Sequence, residues 1–411
     1  MVYRAIAISG GLIAVHLVAG YHQPLHCRRT KNKRASTAIM GKRSSKKKSS
    51  AGARIVSISD VEKQILRLDR DLLRQANERA KLFQKLARLR RDADHPAYDL
   101  ADEQRQIQEL SGSGKGPLDE SCLKSILREL ISGSRSLVVP LRVAFLGPSY
   151  SYSHLAASER FGNSAELVPV ATIAAVFEEV NRRQADFGIV PIENSTDGRI
   201  VDTLDMFARL PVRICGEVQL RVHHHLLAKC ERSEIHEIYS KPQAFSQCRE
   251  WLARHLTGVR TVDMTSTAAA AQLAAGKHGA AAVASKQAAA RYGLNIVASN
   301  IEDNRNNITR FAVIGNDSPR RSGNDKTSIM FEISHEAGAL ADALAIFKRN
   351  KLNLTWIESF PMAGSKSEYL FFVEFEGHKD EMKSRRALTS LEKKTVRLEI
   401  LGSYAKDEPD E

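Results

Sequence analysis

The chain has 411 residues, 43% of them hydrophobic and 27% charged, with a net charge of +13. That length calls for two to four domains, and the apolar fraction supplies packed cores and excludes general disorder. Residues 1–54 hold twelve Lys and Arg and no Asp or Glu, which leaves the rest of the chain near +1. The basic patch of a nucleic-acid binder would therefore have to come from this tail.

Within the tail, residues 5–19 form an apolar run behind Arg4, similar to a signal-peptide core and short for a membrane span. Residues 42–50 form a low-complexity basic stretch expected to be disordered. It follows Met40, and a start site assigned too early is the favoured reading over export. The five cysteines, Cys27, Cys122, Cys215, Cys230 and Cys248, are scattered and include no C-x-x-C pair. Free thiols in a reducing compartment follow, and a cytoplasmic location is expected, with neither nucleic acid nor membrane as partner.

Residues 55–138 read as an all-α module. From Ile58, apolar residues recur at Val61, Ile65, Leu68, Leu72, Ala76, Phe83 and Leu86, the three- and four-residue spacing of a helix face. Arg79 interrupts that stripe, and Arg90 continues its line three turns later. A second helix near 99–110 carries Glu103 on its apolar face, and a third near 119–137 carries Ser134. Inward polar groups on three helices suggest an anion pocket, since buried charge is costly unless paired.

From Leu141 short apolar runs alternate with helical patterns through residue 318, as in an α/β fold with largely parallel strands. Polar segments sit where the strands should end. They are 147–154 with Ser149 and Ser151, 191–195 with Glu193, Asn194 and Ser195, 239–243 with Gln243, 265–267 with Ser266 and Thr267, and 307–311 with Thr309 and Arg310. Ligands in such sheets lie beyond the strands' carboxyl ends, and several of these segments lead into helix N-termini that favour carboxylates. Taken singly, each is more often a turn or helix cap. His223-His224-His225 has no Cys or carboxylate at ligand spacing, so no metal is expected. No G-x-x-x-x-G-K-[ST] loop is present either. Residues 326–405 follow a βαββαβ order, the ferredoxin-like α+β arrangement.

The five polar segments resemble, in order and spacing, the signatures of prephenate dehydratases. The resemblance implies a two-lobed cleft that decarboxylates and dehydrates prephenate to phenylpyruvate without cofactor. Thr309 would be the acid, and Arg310 would organise the site and its anionic substrate. Asn194, Ser195 and Gln243 would hold the ring and side-chain carboxylate, and Glu193 would orient the leaving hydroxyl. Ser149, Ser151, Ser266 and Thr267 would bind carboxylates. The helical module resembles an all-helical chorismate mutase, with Arg79, Arg90, Asp99, Glu103 and Ser134 at matching positions. It departs from that pattern at Glu62-Lys63, Asp102 and Val138, where two arginines and a glutamine are expected, so a dimerisation role without turnover is the alternative.

The last domain resembles the ACT domain of the same enzymes. Gly338, Ala339 and Leu340 match one half of a phenylalanine site, and Glu358 and Ser359 match the other. Phe360 stands where the family has Arg. Phenylalanine as effector and at least a homodimer follow from the resemblance. Arogenate dehydration and a non-catalytic amino-acid sensor are the competing functions.

Overall fold

The computed structural model describes residues 57–93, 95, 99–196, 198–361 and 369–407. The tail at 1–54, with its apolar run, basic run and Cys27, lies outside them. Two compact units divide the chain, Met1–Val61 and Glu62–Glu411. Of the first, only residues 57–61 are described, ending in the opening turn of a helix.

Three helices come first, α1 (Ile58–Asp92), α2 (Leu100–Gly112) and α3 (Glu120–Ser136). Asp99 and Asp119 precede α2 and α3, their carboxylates accepting from first-turn backbone N–H groups. Ile65, Leu66, Leu68, Leu72 and Leu73 of α1 are each at least half exposed.

One lobe of the α/β core contains β1 (Arg142–Leu146), α4 (Tyr152–Phe161), β2 (Glu166–Val170), α5 (Ile173–Asn181) and β3 (Phe187–Asn194). It continues through β4 (Gly198–Arg199), α6 (Val201–Arg209) and β5 (Arg213–Arg221). The other lobe holds β6 (His225–Ala228), β7 (Glu237–Ser240), α7 (Pro242–Gln247), α8 (Arg249–His255) and β8 (Arg260–Asp263). It closes with α9 (Thr267–Ala275), β9 (Ala280–Ala284), α10 (Lys286–Tyr292) and β10 (Asn295–Ala298). The chain then returns to the first lobe as β11 (Ile308–Gly315). Sheet orders are β2-β1-β3-β11-β5, with β4 beside β3, and β10-β6-β9-β7-β8.

The expectation of largely parallel strands needs correction. β1 is parallel to β2 and β3, and β7 to β8 and β9. β11 runs antiparallel to both β3 and β5, and β6 to both β9 and β10. The cause is topological. Strands that enter a lobe from the crossover side must oppose those that end there, and the chain crosses between lobes twice. The crossings are tied by Val222 N–H to the Asn307 carbonyl (2.8 Å) and Ile301 N–H to the His224 carbonyl (2.8 Å).

The C-terminal domain comprises β12 (Asp325–Glu332), α11 (Ala339–Arg349), β13 (Leu354–Pro361), β14 (Tyr369–Glu376), α12 (Met382–Glu392) and β15 (Arg397–Ala405). Its sheet order is β13-β14-β12-β15, antiparallel throughout. Met330, Leu370, Phe372, Leu401 and Tyr404 share one apolar cluster with Ile192, Leu204, Phe207 and Ile214 of the first lobe, and Phe360 packs against it. No helix among the described residues is long and apolar enough to cross a membrane.

β15 approaches β5 so closely that a Cβ at Gly402 would collide with the Ile214 carbonyl. Gly402→Ala should therefore cost roughly 1–3 kcal/mol through overpacking. Hydrogen exchange would show it as lost amide protection in β5 and β15; full protection would mean that the sheets tolerate separation.

Candidate active sites

A cavity of about 170 Å³ lies at the crossovers, lined from both lobes. Ser151, Asn194, Gln243, Ser266, Thr267 and Thr309 all face it, as do Lys241, Tyr152, His224 and Gln247. Ser151 and Ser266 each cap a helix, accepting from the N–H groups of His154 (3.4 Å) and Ala269 (3.0 Å). The ordinary capping role and a place at the cavity thus coincide in both residues.

Thr309 pairs across the ladder with Asn194. Asn194 Nδ2 donates to Thr309 Oγ1 (2.8 Å) and to Asn307 Oδ1 (3.0 Å), while its own Oδ1 accepts from Thr196 N–H (2.9 Å). Asn307 Nδ2 donates to Gln247 Oε1 (2.9 Å), 2.8 Å from His224 Nε2. Because Gln247 Oε1 already accepts from Asn307, His224 must donate through Nε2. Tyr152 closes the chain, its hydroxyl donating to the His223 carbonyl (2.8 Å). Burial holds the His224 pKa below the ordinary 6.5, despite its bond to Gln247.

Four expected residues do not line this cavity. Ser149 lies in the turn after β1. Ser195 latches the second crossing, its Oγ accepting from Ile308 N–H (2.9 Å) and donating to the Asn306 carbonyl (3.2 Å). Arg310 and Glu193, expected at the substrate, form an ion pair with each other (2.7 Å). The correction follows from strand geometry. Successive side chains face opposite sides of a sheet, so Thr309 and Phe311 meet the cavity and Arg310 cannot. Lys241, quoted in a signature segment but given no role there, supplies the positive charge among the lining residues.

In the helical module a cavity of about 310 Å³ is lined by Arg79, Arg90, Asp99, Asp102, Glu103 and Gln106, with Leu82, Phe83, Leu86 and Ile131. Arg79 donates to Ser134 Oγ (2.8 Å), so all five expected residues are gathered there or held against it. Asp102, a departure from the mutase pattern, is drawn to Arg105 (2.7 Å) and Arg90 (3.5 Å). Glu103 is buried and pairs with Arg135 (2.5 Å), and its Oε1 has no hydrogen-bond partner. Burial raises the Glu103 pKa against the opposing pull of Arg135 and Arg160. Arg135 went unnoticed in the sequence, although it follows Ile131 by one helical turn on the buried face.

In the C-terminal domain Gly338 caps α11 with φ +90°, and Ala339 and Leu340 open that helix. Glu358 and Ser359 lie on β13, where Glu358 pairs with Arg199 of β4 (2.6 Å).

A buried imidazole kept neutral gives stability a defined pH dependence. Below about pH 6.5 a proton binds His224 more readily in the unfolded chain than in the folded one, so stability is complete above that value and declines below it. Melting temperature should fall between about pH 7 and pH 5, and His224→Gln should flatten that fall. An unaltered slope would place the titrating group elsewhere.

Comparison with known proteins agrees with this geometry. The family model described as prephenate dehydratase matches residues 143–319, and that of chorismate mutase type II matches residues 61–139. A bifunctional chorismate mutase/prephenate dehydratase of Aquifex aeolicus is 40% identical over 354 residues, covering 85% of this chain and 98% of that protein. An arogenate dehydratase/prephenate dehydratase of Arabidopsis thaliana is 38% identical over 280 residues, 65% of this chain and 73% of that one. A solved prephenate dehydratase from Arthrobacter aurescens, in complex with L-Phe, is 32% identical with a TM-score of 0.59, covering 64% and 90% of the two chains. The departures at 62–63, 102 and 138 do not remove the helical module from the mutase family. The chain belongs to the bifunctional chorismate mutase/prephenate dehydratases of phenylalanine biosynthesis.

Proposed function

We propose that Thr309 is the proton donor of the dehydration, in a cleft where Lys241 and the capped starts of α4 and α9 receive the carboxylates of prephenate. The Asn194–Thr309 hydrogen bond carries this reading. With Asn194 donating, Thr309 Oγ1 is the acceptor of that bond, and its own proton can point to the substrate. The ring carboxylate leaves as carbon dioxide, and its bonding pair enters the ring. The ring expels the hydroxyl, which takes the Thr309 proton and departs as water. Asn194, Gln243, Ser151, Ser266 and Thr267 hold the substrate while this happens. Fixing the reactant and supplying one donor suffice because aromatisation drives the step.

Arg79, Arg90 and Ser134 hold chorismate in the helical pocket, which Asp99 and Glu103 also line. Gln106 brings an amide to that pocket, the chemistry that Val138 lacks. The C-terminal domain is an ACT module that takes phenylalanine at Gly338–Leu340 and at the segment carrying Glu358 and Ser359. Its βαββαβ order, the positive φ at Gly338 and the phenylalanine complex of the Arthrobacter relative support this. Phe360 fills an apolar contact with Phe372 in place of the family's Arg. A second copy of the chain covers the exposed leucines of α1.

Thr309→Ala should lower kcat for prephenate by about 10²–10⁴ while chorismate consumption stays unchanged, and Thr309→Ser should retain most of the rate. Undiminished phenylpyruvate formation would end this assignment. Assaying arogenate beside prephenate on the same enzyme separates the two dehydrations. Sedimentation should give at least twice the chain mass, and Leu72→Asp should reduce it to one chain. A wild-type monomer would remove the second copy from the helical site.

A further inference from the structure

Behind Thr309, on the far face of β11, Arg310 enters a buried ionic cluster shared between two sheets. Its guanidinium donates to Glu193 (2.7 Å) and Glu217 (3.2 Å) of the first lobe, and to both oxygens of Glu374 on β14 (2.9 and 2.7 Å). Lys326 of β12 joins Glu217 (2.7 Å), and Tyr404 of β15 donates to Glu374 (3.0 Å). The Glu217 and Glu374 side chains are 2% and 1% exposed. Trp356 of β13 presents its ring 6.0 Å from the same guanidinium. That tryptophan lies in the segment assigned above to the effector.

We propose that Glu374 and Lys326, outside the cleft, are positioning residues for the dehydration: with Arg310 they hold β11 so that Thr309 faces Asn194 and the substrate. This rests on Thr309 being the donor. Three features make the arrangement stiff. Arg310 is the neighbour of Thr309 in a strand paired on both sides, to Glu193 of β3 and Gln219 of β5. The ladder between β11 and β3 shifts register just after Arg310, so the pairing there depends on what holds the side chain. Glu217 and Glu374 are too buried for water to solvate their charge, so losing a partner on the C-terminal sheet redistributes the contacts that hold Arg310 and its strand. Ligand binding beside Trp356 would act on the dehydratase through the same guanidinium.

The experiment uses the full chain with Glu374→Gln, Glu374→Asp and Lys326→Met. Prephenate kcat and KM, chorismate consumption, the phenylalanine response and the unfolding midpoint are all read. Glu374→Gln and Lys326→Met should lower prephenate kcat about tenfold or more, with KM held within about twofold. Chorismate consumption should not change, and the phenylalanine midpoint should move by about fivefold or more. Glu374→Asp, which keeps the charge, should recover part of the rate. Unchanged kcat in both variants would overturn the proposal. So would parallel loss of both activities with a lowered unfolding midpoint and no recovery in Glu374→Asp, because that is damage to the fold. If Thr309→Ala is itself fully active, the donor assignment fails first; if it is inactive while these variants are normal, only the positioning role fails.

Discussion

The alternation of side chains along β11 is the constraint on which the rest of the dehydratase depends. Thr309 and Phe311 turn toward the cleft, and Arg310 turns toward the C-terminal sheet. One strand therefore belongs both to the cleft and to the boundary between domains. It can do so because it is central, with β3 on one side and β5 on the other. An edge strand could slip; a strand paired on both sides has its register set twice.

The charges behind that strand are poorly explained as a source of stability. Removing ions from water costs several kcal/mol each, and well-packed apolar residues in such places often serve stability as well or better. Once Glu217 and Glu374 are buried, however, each needs a cation in contact, and only certain arrangements of the two sheets provide Arg310 and Lys326 together. Burial opposes the charge on Arg310, yet the carboxylates of Glu374 and Glu217 raise its pKa above the ordinary guanidinium value. Burial also raises the pKa of Tyr404, which keeps its proton for Glu374. The cluster thus specifies how the sheets meet, while the apolar residues around Ile214, Met330 and Phe372 provide most of the cohesion.

Much of this was legible beforehand because it rests on local rules. The helices expected near 99–110 and 119–137 begin one residue later, because Asp99 and Asp119 are their caps. Asn194, Gln243 and Thr309, singled out by the family signatures from three separate segments, line one cavity. Period-two alternation could also have shown that neighbours 309 and 310 cannot share a face, and the motif's contiguity concealed this. Strand direction was not legible, since it depends on which side of a lobe the chain enters. Nor was the chain from Thr309 to His224, because it joins residues 85 positions apart through Asn307 and Gln247. In the sequence the three adjacent histidines bear only on metal binding, which they do not support, so His224 gains no other role there.

The same geometry gives a physical account of why the three modules occupy one chain. Glu217 holds Arg310 and Lys326 through Oε2 and accepts from Asp407 N–H through Oε1 (3.0 Å). The Asp407 carboxylate accepts in turn from Gln219 N–H (3.0 Å) and from Gln104 Nε2 (3.5 Å). Gln104 is the residue after Glu103, the buried carboxylate of the helical pocket. The end of the C-terminal domain therefore closes over both the dehydratase sheet and α2 at a single carboxylate. Contiguity alone does not establish coupling, which requires two arrangements with different affinities. It does restrict where such a second arrangement could arise. Any rotation of the C-terminal sheet must either keep Glu374 on Arg310 or leave that buried carboxylate without its guanidinium, and only the first course avoids that penalty.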